Sequence, residues 1–148
     1  MAIFSNEQLL SDHQAVTATA LSTNVIDLKA AGIPFGAAAA LESNAGKGEP
    51  IDFLIQCTTT ATAAGAATVT ITIETDDNSS LSSATTLWTS GAIPKADLVA
   101  GYKVPVRYLP LGAYEQYLAV RYTVATGPLT AGKFFAGVNC GSDHSWNT

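Results

Sequence analysis

The run Thr68, Val69, Thr70, Ile71, Thr72, Ile73, Glu74 sets a large apolar residue at every second position, with a hydroxyl or an acid between. Successive side chains of an extended strand point to opposite faces, so this order buries one face and leaves the other to water. The pattern returns in Ile51, Phe53, Ile55 and Cys57, and again in Leu118, Val120, Tyr122 and Val124. Threonine, valine and isoleucine at this density suit a pleated, half-buried surface better than a helix, where branching at Cβ costs side-chain freedom. The chain is expected to be all-β, and the apolar phases of these three strands are expected to share one core.

A chain of 148 residues is long enough for one domain that buries a real core without disulfides or a metal. Residues 1–14 read as a short non-sheet N-terminal arm. Asn6 suits the cap of a brief helical turn carrying Leu9 and Leu10, and an arm that orders against a neighbour reads equally well. Residues 15–140 read as the sandwich, and 141–148 as a tail that is polar apart from Trp146. Strand signals lie near Val16 and over 23–28, 51–58, 68–75, 85–89, 102–108, 117–125 and 133–140. Pro105 removes a ladder donor and demotes 102–108 to an edge or a bulge. Between them lie turn signals at Gly32, Pro34 and Gly36, over 43–50, 59–67 and 75–80, and at Gly127 and Pro128. About eight short strands with regular turns predict a two-sheet antiparallel sandwich of jelly-roll type. No long amphipathic helical pattern interrupts them, which disfavours a parallel α/β fold.

Only 13% of the residues are charged, against about 25% in a typical soluble domain. Alanine and threonine fill the deficit, which fits either a threonine-rich β surface or a surface covered by other protein. Twelve acids against seven bases give a net charge of −5, so phosphate backbones gain nothing by releasing counterions to this chain and nucleic acid is not an expected partner. There is no basic run to hold a membrane surface and no apolar span of ~18 residues to cross one. The first residues lack the basic start and apolar run of a signal peptide, so the chain is expected to be made in the cytoplasm.

Catalytic and metal motifs are scarce. His13 follows Asp12 and His144 follows Asp143, but adjacent residues on a strand face opposite ways and make no ready dyad. With Cys140 they lack any standard zinc spacing. Asp76, Asp77 and Asn78 lack the alternating ligands and later glutamate of a calcium loop and read as a turn. Gly46, Lys47 and Gly48 precede a strand, without the order of a phosphate loop. Ser142 has no nucleophile elbow, and Glu49 with Asp52 has nothing to split a pair of pKa values. Cys57 reads as a small buried hydrophobe, and spacing leaves its pairing with Cys140 open. No catalytic residue, metal or cofactor is expected, and the chain is not expected to be an enzyme. The aromatics Trp88, Tyr102, Tyr108, Tyr114, Tyr117 and Tyr122 suit a core, an interface or a sugar-stacking platform. Tyr122 shares the core phase, whereas Tyr117 and Arg121 lie on the opposite phase and are expected at a contact.

Ser11-Asp12-His13-Gln14-Ala15-Val16 and the residues that follow to Leu28 open a resemblance that runs nearly the length of the chain. It continues through Gly46-Lys47-Gly48-Glu49-Pro50, Ala92-Ile93-Pro94 and Leu98-Val99-Ala100-Gly101-Tyr102. Tyr117 to Val124, Thr130-Ala131-Gly132-Lys133 and Ala136-Gly137 complete it, and it ends at about Val138. In order and spacing these pieces resemble the capsid cement (decoration) proteins of tailed bacteriophages. The resemblance implies a jelly-roll subunit that oligomerises on the outer face of the virion and bridges neighbouring major-capsid proteins, after assembly in the bacterial cytoplasm. The expected partners are the major capsid protein and further copies of the chain, as a dimer or trimer. Ile3, Phe4, Leu9 and Leu10 of the arm, with Tyr117 and Arg121, are the expected contact residues. The alternative is a carbohydrate- or receptor-binding β-sandwich module.

Overall fold

The computed structural model describes residues 4–29, 35, 36, 38 and 50–139. Eight strands form among them: β1 (Phe4–Ala15), β2 (Ala20–Leu21), β3 (Ile26–Asp27), β4 (Phe53–Thr62), β5 (Thr68–Asp76), β6 (Thr85–Pro94), β7 (Tyr117–Ala125) and β8 (Ala131–Asn139). One sheet runs β1-β8-β4; the other runs β2-β7-β5-β6, with β3 also paired to β7. Every pairing is antiparallel. The fold is an all-β sandwich, and its connectivity is compatible with a jelly roll.

The period of two in the sequence becomes the register of the large sheet. Val69 lies opposite Val124, Ile71 opposite Tyr122, Ile73 opposite Val120 and Thr75 opposite Leu118. Their side chains face inward, and all are buried but Val124, which packs against the core half-buried. Phe53, Ile55 and Cys57 answer from β4, opposite Val138, Ala136 and Phe134 of β8. The two sheets meet where the Tyr122 and Phe134 rings pack with centroids 5.0 Å apart. Of the expected core residues Ile51, Phe53, Ile55, Val69, Ile71, Ile73, Leu118, Val120 and Tyr122, all but Ile51 are buried in this single cluster, and Ile51 packs against it half-buried.

Three expectations change. The N-terminal arm is not outside the sheet: from Phe4 onward it is β1, laid along β8. The sequence hides this because β1 is bulged at three places, so that Phe4 to Ala15 is matched only by Asn139 to Lys133. Each bulge resets the alternation by which a strand is recognised. The linker expected over 59–67 is strand as far as Thr62. Residues 102–108 form no regular strand, yet they follow the free edge of β4. Cys57 N–H donates to the Tyr102 carbonyl at 2.8 Å, Val104 N–H to Ile55 at 2.9 Å and Phe53 N–H to Arg107 at 2.8 Å. Pro105 sits on this edge, where its missing donor costs the sheet nothing.

β6 is the far edge of the large sheet and carries its own bulge. Thr70 pairs with Ala92 and Thr72 with Thr89, so Ser90 and Gly91 together oppose Ile71. Gly91 takes a positive φ of 71°, which glycine adopts without the usual Cβ penalty. The Ile71 N–H, displaced from its ladder partner, donates instead to Ser90 Oγ at 3.0 Å.

Candidate functional site

The expected contact residues do not converge. Ile3 lies outside the described residues, and Phe4 opens β1 with its backbone paired to Asn139. Leu9 is half-buried and crosses Gly137, where an added Cβ would come within 3.2 Å of Leu9 Cδ1 and 3.3 Å of the Gln8 carbonyl. Only glycine lets β1 approach β8 so closely. Leu10 is fully buried in the core. Beside it, buried Ser11 accepts the Tyr122 hydroxyl proton at 3.0 Å and donates to Gln14 Oε1 at 2.8 Å, which ties β1 to β7 of the facing sheet.

Tyr117 and Arg121 do share the outer face of the large sheet. Arg121 Nε donates to Glu74 Oε2 at 2.8 Å and Nη2 donates to the Leu81 carbonyl at 3.0 Å. The Glu74 side chain is only 8% exposed, and Thr72 Oγ1 donates to its other oxygen at 2.7 Å. Arg121 therefore clamps the β5–β6 connection down onto the sheet. That connection holds Leu81 at a positive φ of 48°, a strain of about 1–2 kcal/mol for a residue other than glycine. Burying the Leu81 side chain to 2% exposure returns roughly 1.5–3 kcal/mol, which is enough to hold it there. Tyr117 is half-buried, and its hydroxyl accepts from Gln116 Nε2 at 3.2 Å.

The end of the sandwich where β5 stops and β7 begins gathers the carboxylates. Asp76 is buried and accepts from Ser83 N–H at 2.9 Å, Ser83 Oγ at 3.2 Å and Asn78 N–H at 3.2 Å. These bonds, led by the Ser83 backbone, hold its carboxyl below the usual range. Exposed Asp77 is pushed the other way, first by its side-chain bond to Asp76, then by the charges of Asp76 and Glu115. Asp76, Asp77 and Glu115 bring carboxylate oxygens within 4.8 Å of one another, the described residues closest to a cation-binding set. Through these bonds Asp76 organises the turn that follows it; the turn expected at 76–78 begins only at Asp77, because Asp76 is the buried last residue of β5.

At the same end the edge segment along β4 leaves the sheet and makes a rigid loop. Val104, Val106 and Leu109 turn into the core, while Arg107 and Tyr108 turn out. The Arg107 guanidinium sits 5.3 Å from the centre of the Tyr108 ring. Tyr108 forms a bridge with Asp52 at the start of β4. Beyond Leu109, the Tyr114 hydroxyl donates to the Pro110 carbonyl at 2.6 Å. Burial pushes this phenol up to about 12, so it stays a donor at any ordinary pH. Gly112 packs so tightly that a Cβ there would come within 3.2 Å of Leu87 Cδ2. On this pinned loop Leu111 stands 79% exposed. Among the described residues it shares that exposure with few other large apolar side chains: Phe35, Val99 and Tyr108.

Arg107 and Leu111 carry no motif that marks them in the sequence, and Tyr108 stands out there only as one of the aromatics. A signal is present in Leu109, Pro110, Leu111 and Gly112, an apolar run inside a connection that no period of two explains. Cys57, by contrast, is the small buried side chain expected: burial pushes its thiol up, and Sγ donates to the Thr59 carbonyl at 3.1 Å, while Cys140, whose pairing with it the sequence leaves open, lies outside the described residues.

No curated protein matches this chain. The Bbp16 family model matches residues 10–138, which takes in the sandwich from Leu10 in β1 to Val138 in β8. With that much of the chain accounted for, the protein belongs to the phage-associated Bbp16 family.

Proposed function

We propose that this protein is a structural component of the virion that binds the outer surface of a bacteriophage capsid and cements neighbouring major-capsid subunits. Membership of a phage-associated family, over residues 10–138, is the observation that carries the reading. The charge agrees with it, because a net −5 suits a position away from packaged DNA, where basic proteins are favoured. So does the sparing use of charge, since surfaces covered in an assembly need little of it for solubility. Many modest contacts repeated by symmetry would make the attachment firm through avidity, with no turnover chemistry required.

Co-sedimentation of the purified protein with empty shells of the parent phage tests the reading, followed by image reconstruction of the decorated shell. Saturable binding at regular sites on the outer surface is the expected result. A protein that stays in the supernatant at every concentration, or one that engages glycans on an array instead, would overturn it in favour of a carbohydrate- or receptor-binding module.

A further inference from the structure

We infer that the end of the sandwich carrying Arg107, Tyr108 and Leu111 is its docking surface, and that the partner is a folded protein presenting lysine or arginine side chains around an apolar hollow. The inference rests on the capsid reading for the identity of that partner and adds to it the end of the molecule that makes contact.

A single exposed leucine on a protein surface is ordinary and means little by itself. Here the leucine is held out rather than left out. Tyr114 fixes the loop through the Pro110 carbonyl at 2.6 Å and Gly112 seats it against Leu87, so Leu111 is presented 79% exposed from backbone that is already in place. An anchor ordered before binding loses little chain entropy when it docks. Three residues before it in the same segment, Tyr108 is 41% exposed with Arg107 over its ring, the pairing of side-chain types that dominates the centres of protein interfaces.

The charges around this apolar centre point to what would cover it. Asp52 lies opposite Tyr108 in a backbone β-bridge, and Glu115 follows Tyr114 on the same loop. Asp77 stands exposed within reach of Glu115. Glu115 accepts a neutral bond from Thr85 Oγ1 at 3.2 Å, and among the described residues Glu74 is the carboxylate with an arginine or lysine partner. Asp52, Asp77 and Glu115 outnumber Arg107, the one cation of this centre among the described residues, so the surface is negative on balance and complementary to one of the opposite sign, and such a rim mainly speeds and orients encounter.

Binding to empty shells, measured by co-sedimentation over a concentration series at low and high salt, tests the inference. Leu111→Ser and Tyr108→Ala should each weaken binding about tenfold or more. The double variant Asp77→Asn with Glu115→Gln should bind more slowly and lose most of its dependence on salt. Val99→Ser, on an exposed apolar residue next to Ala100, whose N–H donates to Thr60 Oγ1 near the far end of β4, should bind as the parent does. Leu111 is too exposed for its replacement to unfold the protein, so an unchanged melting temperature keeps that variant decisive even if Tyr108→Ala misfolds. Parent and Leu111→Ser binding equally well would overturn the inference and leave the capsid reading standing. Leu111→Ser binding shells normally while its own oligomer falls apart would also overturn it, giving the surface to a second copy of the chain. Absence of parent binding would overturn the capsid reading and this inference with it.

Discussion

Ile71 faces Tyr122 across the β5–β7 ladder and is shielded completely from solvent. Its replacement by alanine leaves a cavity between two sheets whose strands cannot close independently, so the loss should be ~2–5 kcal/mol. Urea denaturation measures it directly, and a loss below about 0.5 kcal/mol would place Ile71 outside the core. The two adjacent aspartates at the end of β5 make opposite predictions. Asp76 is held below its usual range, so it contributes stability above the unfolded value of about 4, and that contribution is lost as pH falls through the lower folded value. Asp77 is raised, so its ionisation weakens the fold as pH rises. Asp76→Asn should therefore lower the melting temperature at neutral pH and Asp77→Asn should raise it. Both differences should shrink on acidification below about pH 4, which thermal melts across pH 3–7 would show.

At the scale of elements, β1 carries the sharpest test. A free arm could be removed without loss of stability, but Leu10 fills the core and Ser11 bonds Tyr122 across the sheets. Deleting residues 1–10 should lower the melting temperature markedly, because Leu10 alone is worth ~2–5 kcal/mol. Deleting residues 1–8 should cost far less, since Asn6, Glu7 and Gln8 are exposed. Differential scanning of the two truncations decides the matter. The contrast also shows what the sequence makes legible. β5 and β7 alternate without interruption and pair residue for residue, so their period, faces and core were readable in advance. β1 has bulges that break its alternation, and β2 and β3 are two-residue strands held by β7. The exposed loop at Leu111 has no period at all, and what matters there is a tyrosine hydroxyl reaching back four residues to a carbonyl. Arg121 was legible as lying on the outward phase, but its bond to Glu74 arises from β5–β7 register, which no single strand reveals.

For the whole molecule, the expectation is closed self-association. Identical subunits usually assemble with point symmetry, and a chain that is only 13% charged has surface suited to being covered. Sedimentation velocity at micromolar concentration should show a dimer or trimer, and a clean monomer would argue against it.

The order of strands in the small sheet bears on how the chain comes off the ribosome. β8 lies between β1 and β4 and supplies the strand neighbour of both. During synthesis, β5, β6 and β7 can find one another while the rest is still being made, but β1 emerges first and waits for nearly the whole chain. β1 stays without its strand neighbour until β8 has left the exit tunnel. Half of the sandwich thus closes as a single late event, and a nascent chain halted before Ala131 would carry two unsatisfied strand edges, attractive to chaperones and to each other.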